Sequence, residues 1–281
     1  TVAVADGLVY AAEYAGKVHC LDADTGAMKW AYQFTPHDEL DYDSTQVPVL
    51  ADIEWKGAQR KVMLWANRNG LMYLLDRLTG EFLLGKPYVE VNWMTGFTPE
   101  GKPIRAPGML PSAQGTLIKP HVHGAINWAP PSYSPTTGLF YVAHWENSGI
   151  IAIEGQFPQA IATNKRQTTM GDVALEPFFN NDEEARGVIR AYNPQTLEPV
   201  WAFELGNITW GGVLSTVGNL VFGGNKDGYF VALDARTGEL LWKASLGGQV
   251  NSGPMTYSVD GKQYVAVAAG SGLFTFVLSD N

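Results

Sequence analysis

The stretch 233-LDARTGELLW-242 returns with small changes as 21-LDADTGAMKW-30 and 75-LDRLTGEFLL-84, and in degenerate form as 192-YNPQTLEPVW-201. In each copy a bulky residue (Trp242, Trp30, Leu84, Trp201) stands eight positions after Asp234, Asp22, Asp76 or Asn193. A β-prone apolar run precedes each, such as 228-GYFVAL-233. The pattern reads as strand, tight turn, strand. The Asp or Asn side chain accepts turn amide hydrogens, Gly takes a positive φ, and the bulky residue anchors the outgoing strand. One such unit cannot bury both faces of its sheet, so units must stack.

The copies lie 54, 117 and 41 residues apart. A blade of a β-propeller takes roughly 40–50 residues, so the 117-residue interval holds a blade plus insertions. The stretches 85–125 and 155–187 lack clean alternation and are the expected insertions. A last unit follows at 249-QVNSGPMTYSVDGKQYVAVAAGSGLFTFVL-278. The expectation is an all-β chain, one partial propeller domain over 1–281, with about five four-stranded blade-like units. A β-sandwich is the competing architecture, but it would not repeat Asp-x-x-Thr-Gly-x-x-x-Trp.

Composition agrees with an all-β reading: Gly 31, Pro 16 and Trp 9 in 281 residues point to many turns and aromatic packing. A net charge of −9 argues against a nucleic-acid partner, which needs a basic surface. No run of about 18 apolar residues offers a membrane span. The lone Cys20 excludes an intrachain disulfide and any Cys-x-x-Cys metal or haem site, and reads as a small buried strand residue. The chain opens at Thr1 and enters a strand at once, which reads as a mature, processed or truncated product.

Several segments carry a resemblance: 29-KWAYQFTPHDELDYD-43, 66-ANRNGLMYLLDR-77, 124-GAINWAPPSYSPTTGLFYV-142, 207-NITWGGVLSTVGNLVFGGNKDGYFVALDARTG-238 and 254-PMTYSVDGKQYVAVAAG-270. Their content and order resemble the C-terminal part of the pyrroloquinoline quinone (PQQ)-dependent alcohol dehydrogenases of the methanol and ethanol dehydrogenase type. The Asp-x-x-Thr-Gly turn alone is shared by many quinoprotein-type propellers. The Thr-Pro-His-Asp-Glu-x-Asp segment is the specific part. The resemblance implies an eight-bladed ring with PQQ and a calcium or lanthanide ion near its axis. About five units do not close such a ring, so an incomplete ring, or one completed by another chain, is expected. The family's N-terminal part supplies a metal-binding Glu and Asn, vicinal cysteines and a stacking Trp. Glu13 in 11-AAEYAG-16 faintly resembles that Glu's neighbourhood but stands too close to the Thr-Pro-His-Asp segment.

By the same resemblance Asp41 is the catalytic base, since alcohol oxidation needs a carboxylate to take the hydroxyl proton. Asp41 and Asp43 are the metal-ligand candidates. In extended chain, positions i and i+2 face one side, so the two converge on one ion. An Asp-x-Asp pair here resembles the lanthanide-using branch; the other reading of Asp43 is a turn cap over Ser44 and Thr45. Asp38 and Glu39 are expected to organise the loop, and His37 to lock it by a hydrogen bond. Arg68 matches the cation that reaches the quinone oxygens, against the alternative of a surface hairpin arginine. Asn127 and Trp128 match a pair beside PQQ, against core tryptophan packing. Trp210 and Gly211 resemble the strand segment beneath the cofactor plane, where glycine lets backbone approach a ligand. His121 and His123 are expected to be loop or pocket-lining residues. Gly223–Gly228 is a hairpin turn and not a dinucleotide fingerprint.

The function implied is oxidation of a small primary alcohol by hydride transfer to PQQ. A separate cytochrome c is the implied acceptor, since no Cys-x-x-Cys-His is present, and the periplasm is the implied compartment. The competing reading is a non-catalytic quinoprotein-like propeller acting as a protein-binding scaffold. Such a scaffold has no reason to keep Asp41, Arg68 and Asn127-Trp128 together.

Overall fold

A computed structural model describes residues 2–13, 15–151, 169–170, 173–174 and 185–278. Five antiparallel sheets follow one another along the chain, and no helix occurs among the described residues. The first comprises Val2–Ala5, Leu8–Glu13, Lys17–Asp22 and Met28–Gln33; the second Val49–Trp55, Ala58–Ala66, Leu71–Asp76 and Phe82–Pro87. The third comprises Ser132–Ser134, Leu139–Glu146, Arg186–Tyr192 and Pro199–Glu204; the fourth Leu214–Ser215, Leu220–Gly224, Tyr229–Asp234 and Leu240–Ser245. The fifth has three strands, Met255–Val259, Lys262–Ala269 and Gly272–Val277. The expected five units are therefore four of four strands and one of three. Consecutive small antiparallel sheets of this kind are the blades expected of a β-propeller.

Strands such as Leu71–Asp76 are buried along their whole length because both faces of the sheet are covered. The cores are the seams between consecutive sheets. Tyr10, Val18, Phe34, Trp65 and Tyr73 fill the first. Leu64, Leu74, Phe140, Val142 and Tyr192 fill the second. Ile189, Trp201, Val221 and Val231 fill the third, and Phe222, Phe230, Val250 and Val267 the fourth.

The repeated turns sit at equivalent places, between the third and fourth strands of the first four sheets. Asp22, Asp76 and Asp234 accept the amides two and three residues on at 2.8–3.2 Å, and Asn193 accepts that of Gln195 at 2.8 Å. Gly26, Gly80 and Gly238 have φ of +70°, +77° and +75°. In the degenerate copy Leu197 holds the same conformation, at +56°. A register shift at one equivalent pair in each sheet puts Trp30, Leu84, Trp201 and Trp242 in equivalent positions. Trp30 reaches into the next sheet's turn and donates from Nε1 to the Arg77 carbonyl at 3.1 Å; Trp201 does the same to Ala235 at 3.1 Å.

Between the second and third sheets Met94–Phe97 pairs with Pro103–Arg105, and Thr116–Ile118 pairs with Gly149–Ile151, a strand that falls between two strands of the third sheet. The irregular stretch expected from residue 85 starts after Pro87, because 85–87 complete a strand of the second sheet. The stretch expected at 155–187 lies, except for 169–170, 173–174 and 185–187, outside the described residues.

Candidate active site

Three segments meet around Arg68. The loop from Thr35 to Gln46 joins the first and second sheets. The turn Asn67-Arg68-Asn69-Gly70 links two strands of the second sheet. The loop 119–128 leads toward the third. Arg68 is 6% exposed, so it is not a surface hairpin residue. Its turn is built by its neighbours. Asn67 Oδ1 accepts the Asn69 amide at 3.0 Å while Nδ2 donates to Ser44 Oγ at 2.8 Å. Asn69 Oδ1 accepts the Leu71 amide at 2.9 Å, and its Nδ2 donates to Thr35 Oγ1 at 3.0 Å. Every buried polar atom named here has a partner, which rigidifies the turn.

The guanidinium is held from two sides. Nε and Nη2 donate to the Val122 carbonyl at 3.0 and 2.6 Å. Nη2 lies 2.7 Å from Asp41 Oδ2 and Nη1 lies 3.0 Å from Asp43 Oδ2. Both carboxylates thus converge on one cation. They do so by a different route from the extended chain expected, because Asp41 adopts a left-handed conformation with φ +59°. Burial pushes both carboxyls up from their ordinary value, and the Arg68 charge opposes that rise. Gly124, φ +76°, completes the cage: a Cβ there would stand 2.1 Å from Arg68 Cγ. The sequence reading passed over Gly124 and the Val122 carbonyl. A glycine beside a His-x-His pair was the only signal for the first, and a backbone acceptor leaves none.

The other candidates connect to this cage through the 119–128 loop. Asn127, 8% exposed, donates from Nδ2 to the His123 carbonyl at 3.5 Å. The His123 ring faces that of Trp210 at 5.7 Å, and Trp210 packs on Trp145 at 4.7 Å. Gly211 donates to Thr209 Oγ1 at 3.1 Å, and a Cβ there would meet the Val250 and Ser252 carbonyls at 3.0 and 3.1 Å. Trp128 is 65% exposed, which rules out core packing for it. His121 accepts the His123 amide on Nδ1 at 2.9 Å, and both line a cavity of about 140 Å³ with Asn147, Trp210 and Lys226. The exposed His37 ring lies 3.7 Å from Glu39 Oε1, and the loop-locking bond is made by the His37 carbonyl, which accepts from Arg105 Nη2 at 2.7 Å. Glu13 pairs with His19 at 3.2 Å within the first sheet.

Asp41 and Asp43 offer hard oxygen donors whose charge Arg68 already draws together, which suits a hard cation. Among the described residues no group of three or more His, Cys, Asp or Glu could hold a metal. Calcium-like ions take roughly 6–8 oxygens, so two carboxylates alone do not complete such a ligand set.

The family model "PQQ: Glucose/ethanol/alcohol dehydrogenase, beta-propeller domain" matches residues 9–92 and 202–265, together more than half of the chain. A quinohemoprotein alcohol dehydrogenase of Comamonas testosteroni is 40% identical over 265 residues, covering 92% of this chain and 37% of the relative. A crystal structure under that name and organism superposes with a TM-score of 0.80 at 38% identity, over 92% of this chain and 39% of the other. A 1-butanol dehydrogenase (cytochrome c) of Thauera butanivorans is 38% identical over 271 residues, 92% of this chain and 38% of the relative. A europium-containing methanol dehydrogenase superposes with a TM-score of 0.77 at 28% identity, over 93% of this chain and 48% of the other. The chain spans less than half the length of these relatives. With its repeated turns, its sheet order and this match, the chain belongs to the PQQ-dependent glucose/ethanol/alcohol dehydrogenase β-propeller family.

Proposed function

We propose that this chain forms the part of a PQQ-dependent alcohol dehydrogenase that carries the proton acceptor and part of the cofactor and metal cradle. The observation that carries the reading is the Arg68 guanidinium, buried and ion-paired with both Asp41 and Asp43 at 2.7 and 3.0 Å. A scaffold propeller has no use for such a charge cluster, which costs desolvation to bury. PQQ with its metal ion supplies the hydride acceptor for the alcohol carbon. The chain's residues do the rest. Asp41 Oδ takes the hydroxyl proton. Burial raises its proton affinity, which suits a base, and Arg68 keeps it ionised. Arg68 would also present positive charge to the quinone edge of a bound cofactor. Asn127 offers both donor and acceptor to the cofactor edge, Trp128 and Trp210 offer flat walls, and Gly211 lets the backbone beneath the cofactor plane pack closely against the Val250 and Ser252 carbonyls.

For the metal, we favour a calcium or lanthanide ion bound by Asp41 and Asp43, the second carboxylate matching a trivalent ion. The europium-containing neighbour supports that choice. A small primary alcohol is the substrate class, a separate cytochrome c the acceptor, and the periplasm the compartment.

In the holoenzyme, Asp41→Asn should lower turnover by roughly 10²–10⁴-fold while PQQ binding, read by absorbance, stays intact. Turnover within about two-fold of the native value would overturn the base assignment. Asp43→Ala should weaken lanthanide activation more than calcium activation at saturating PQQ. An unchanged lanthanide response would return Asp43 to a turn role and leave Asp41 standing.

A further inference from the structure

Asp41 is the one residue of the cage whose backbone is strained: its φ of +59° is one that L side chains rarely adopt, and glycine could not serve there as a base. Something must hold it. The Asp38 carboxylate accepts the Leu40 amide on Oδ1 at 2.9 Å and the Tyr42 amide on Oδ2 at 2.6 Å. One carboxylate therefore spans Asp41, bonding the amides on either side of it. The two bonded residues are themselves anchored. Leu40 and Tyr42 are fully buried, Tyr42 OH donates to the Pro120 carbonyl at 2.5 Å, and its ring meets Trp93 at 5.6 Å. Pro120 opens the loop that supplies the Val122 acceptor of Arg68. Base and guanidinium are thus held by one continuous set of bonds.

We propose that Asp38 is a positioning residue: it fixes the left-handed turn at Asp41 and so aims the Asp41 carboxylate at Arg68 and the substrate hydroxyl. This rests on the reading of Asp41 as the proton acceptor. Both Asp38 oxygens are engaged by backbone amides, so Asp38 acts through Asp41 and not on the substrate.

The test uses Asp38→Asn, Asp41→Asn and the double variant in the holoenzyme. Asn keeps the size of Asp38 but one of its two oxygens becomes a donor, so one amide loses its acceptor. Displacing a reacting group by about 1 Å costs on the order of 10²-fold, and Asp38→Asn should lower kcat by about 10–100-fold with alcohol KM within about two-fold. Amide exchange at Leu40 and Tyr42 should speed up in Asp38→Asn and not in Asp41→Asn. Asp38→Asn should cost nothing further in the Asp41→Asn background, since the group it aims is already lost. Asp38→Ser, whose hydroxyl reaches the nearer amide alone, should show the same split and replaces the Asn variant if that one does not fold. Native kcat, unchanged amide exchange, or an equal additional loss in the Asp41→Asn background would each overturn the proposal. If Asp41→Asn turns over normally, the base reading fails, and the proposal that rests on it falls with it, even where amide exchange shows the Asp38 bonds intact.

Discussion

The seam between the first and second sheets and the seam between the second and third meet the same packing requirement with opposite residues. In the first, Trp30 lies over Gly80, and a Cβ on that glycine would stand 2.8 Å from the indole. The third seam repeats this with Trp201 over Gly238, at 2.6 Å. In the second, the tryptophan position is Leu84 and the glycine position is Leu197, which is 3% exposed and packs in the cluster that Leu84 borders. The turn keeps its shape although its glycine is gone. A left-handed non-glycine residue costs about 1–2 kcal/mol, and burying a leucine returns roughly 1.5–3 kcal/mol. Polar groups differ as well. Arg77 ties the first seam, bonding Asp6 at 2.7 Å and Asp52 at 2.6 Å. The second seam encloses His144, fully buried among Tyr88, Tyr192 and Arg190, with Nδ1 lacking a hydrogen-bond partner. What is preserved between seams is backbone geometry and volume, while residue identity is free to change.

The largest expected effect breaks a tryptophan seam. Trp201→Ala should destabilise the protein by about 3–5 kcal/mol, read from the urea midpoint; a shift below about 1 kcal/mol would mean that the indole is not a packing anchor. Next comes acid sensitivity of the leucine seam. Burial lowers the His144 pKa from 6.5 to about 3. A base that folding keeps neutral contributes stability above its unfolded value, and that contribution is lost as pH falls from there toward the folded value. The loss should reach roughly 3 kcal/mol by pH 4. His144→Phe should flatten that limb of the stability profile, and an equally steep limb in the variant would assign the acid response elsewhere. Gly80→Ala should cost about 2–3 kcal/mol, from the indole clash and the positive φ together. Smallest is Leu197→Gly, at about 1–2 kcal/mol, because relief of the backbone offsets part of the lost burial. If Leu197→Gly costs more than Gly80→Ala, the leucine seam depends on its side chains more than the tryptophan seams depend on their fit.

The fold was legible because one turn motif marks each of the first four sheets and fixes its register; even the degenerate 192-YNPQTLEPVW-201 keeps the Asn side chain and the bulky anchor. The fifth sheet lacks that motif, and its three strands could not be counted from alternation alone. At the site, Asp41, Asp43 and Arg68 were legible from a specific local segment and its order in the chain. The route by which they meet was not. It depends on the φ of Asp41, the two amides gathered by Asp38 and the Val122 carbonyl, and backbone conformation and backbone acceptors leave no mark on residue type. The loop-locking bond of His37 was legible only as a residue, since its carbonyl and not its ring makes the bond to Arg105.

The tryptophan-over-glycine fit has a consequence for how such a chain can drift in evolution. Positions 30 and 80, or 201 and 238, form joint heritable units although they lie far apart in sequence. Enlarging the glycine alone meets the indole, and trimming the tryptophan alone leaves a hole, so either single step lowers fitness through stability. The Leu84 and Leu197 seam shows within this same molecule the other allowed state, in which both positions carry a different residue.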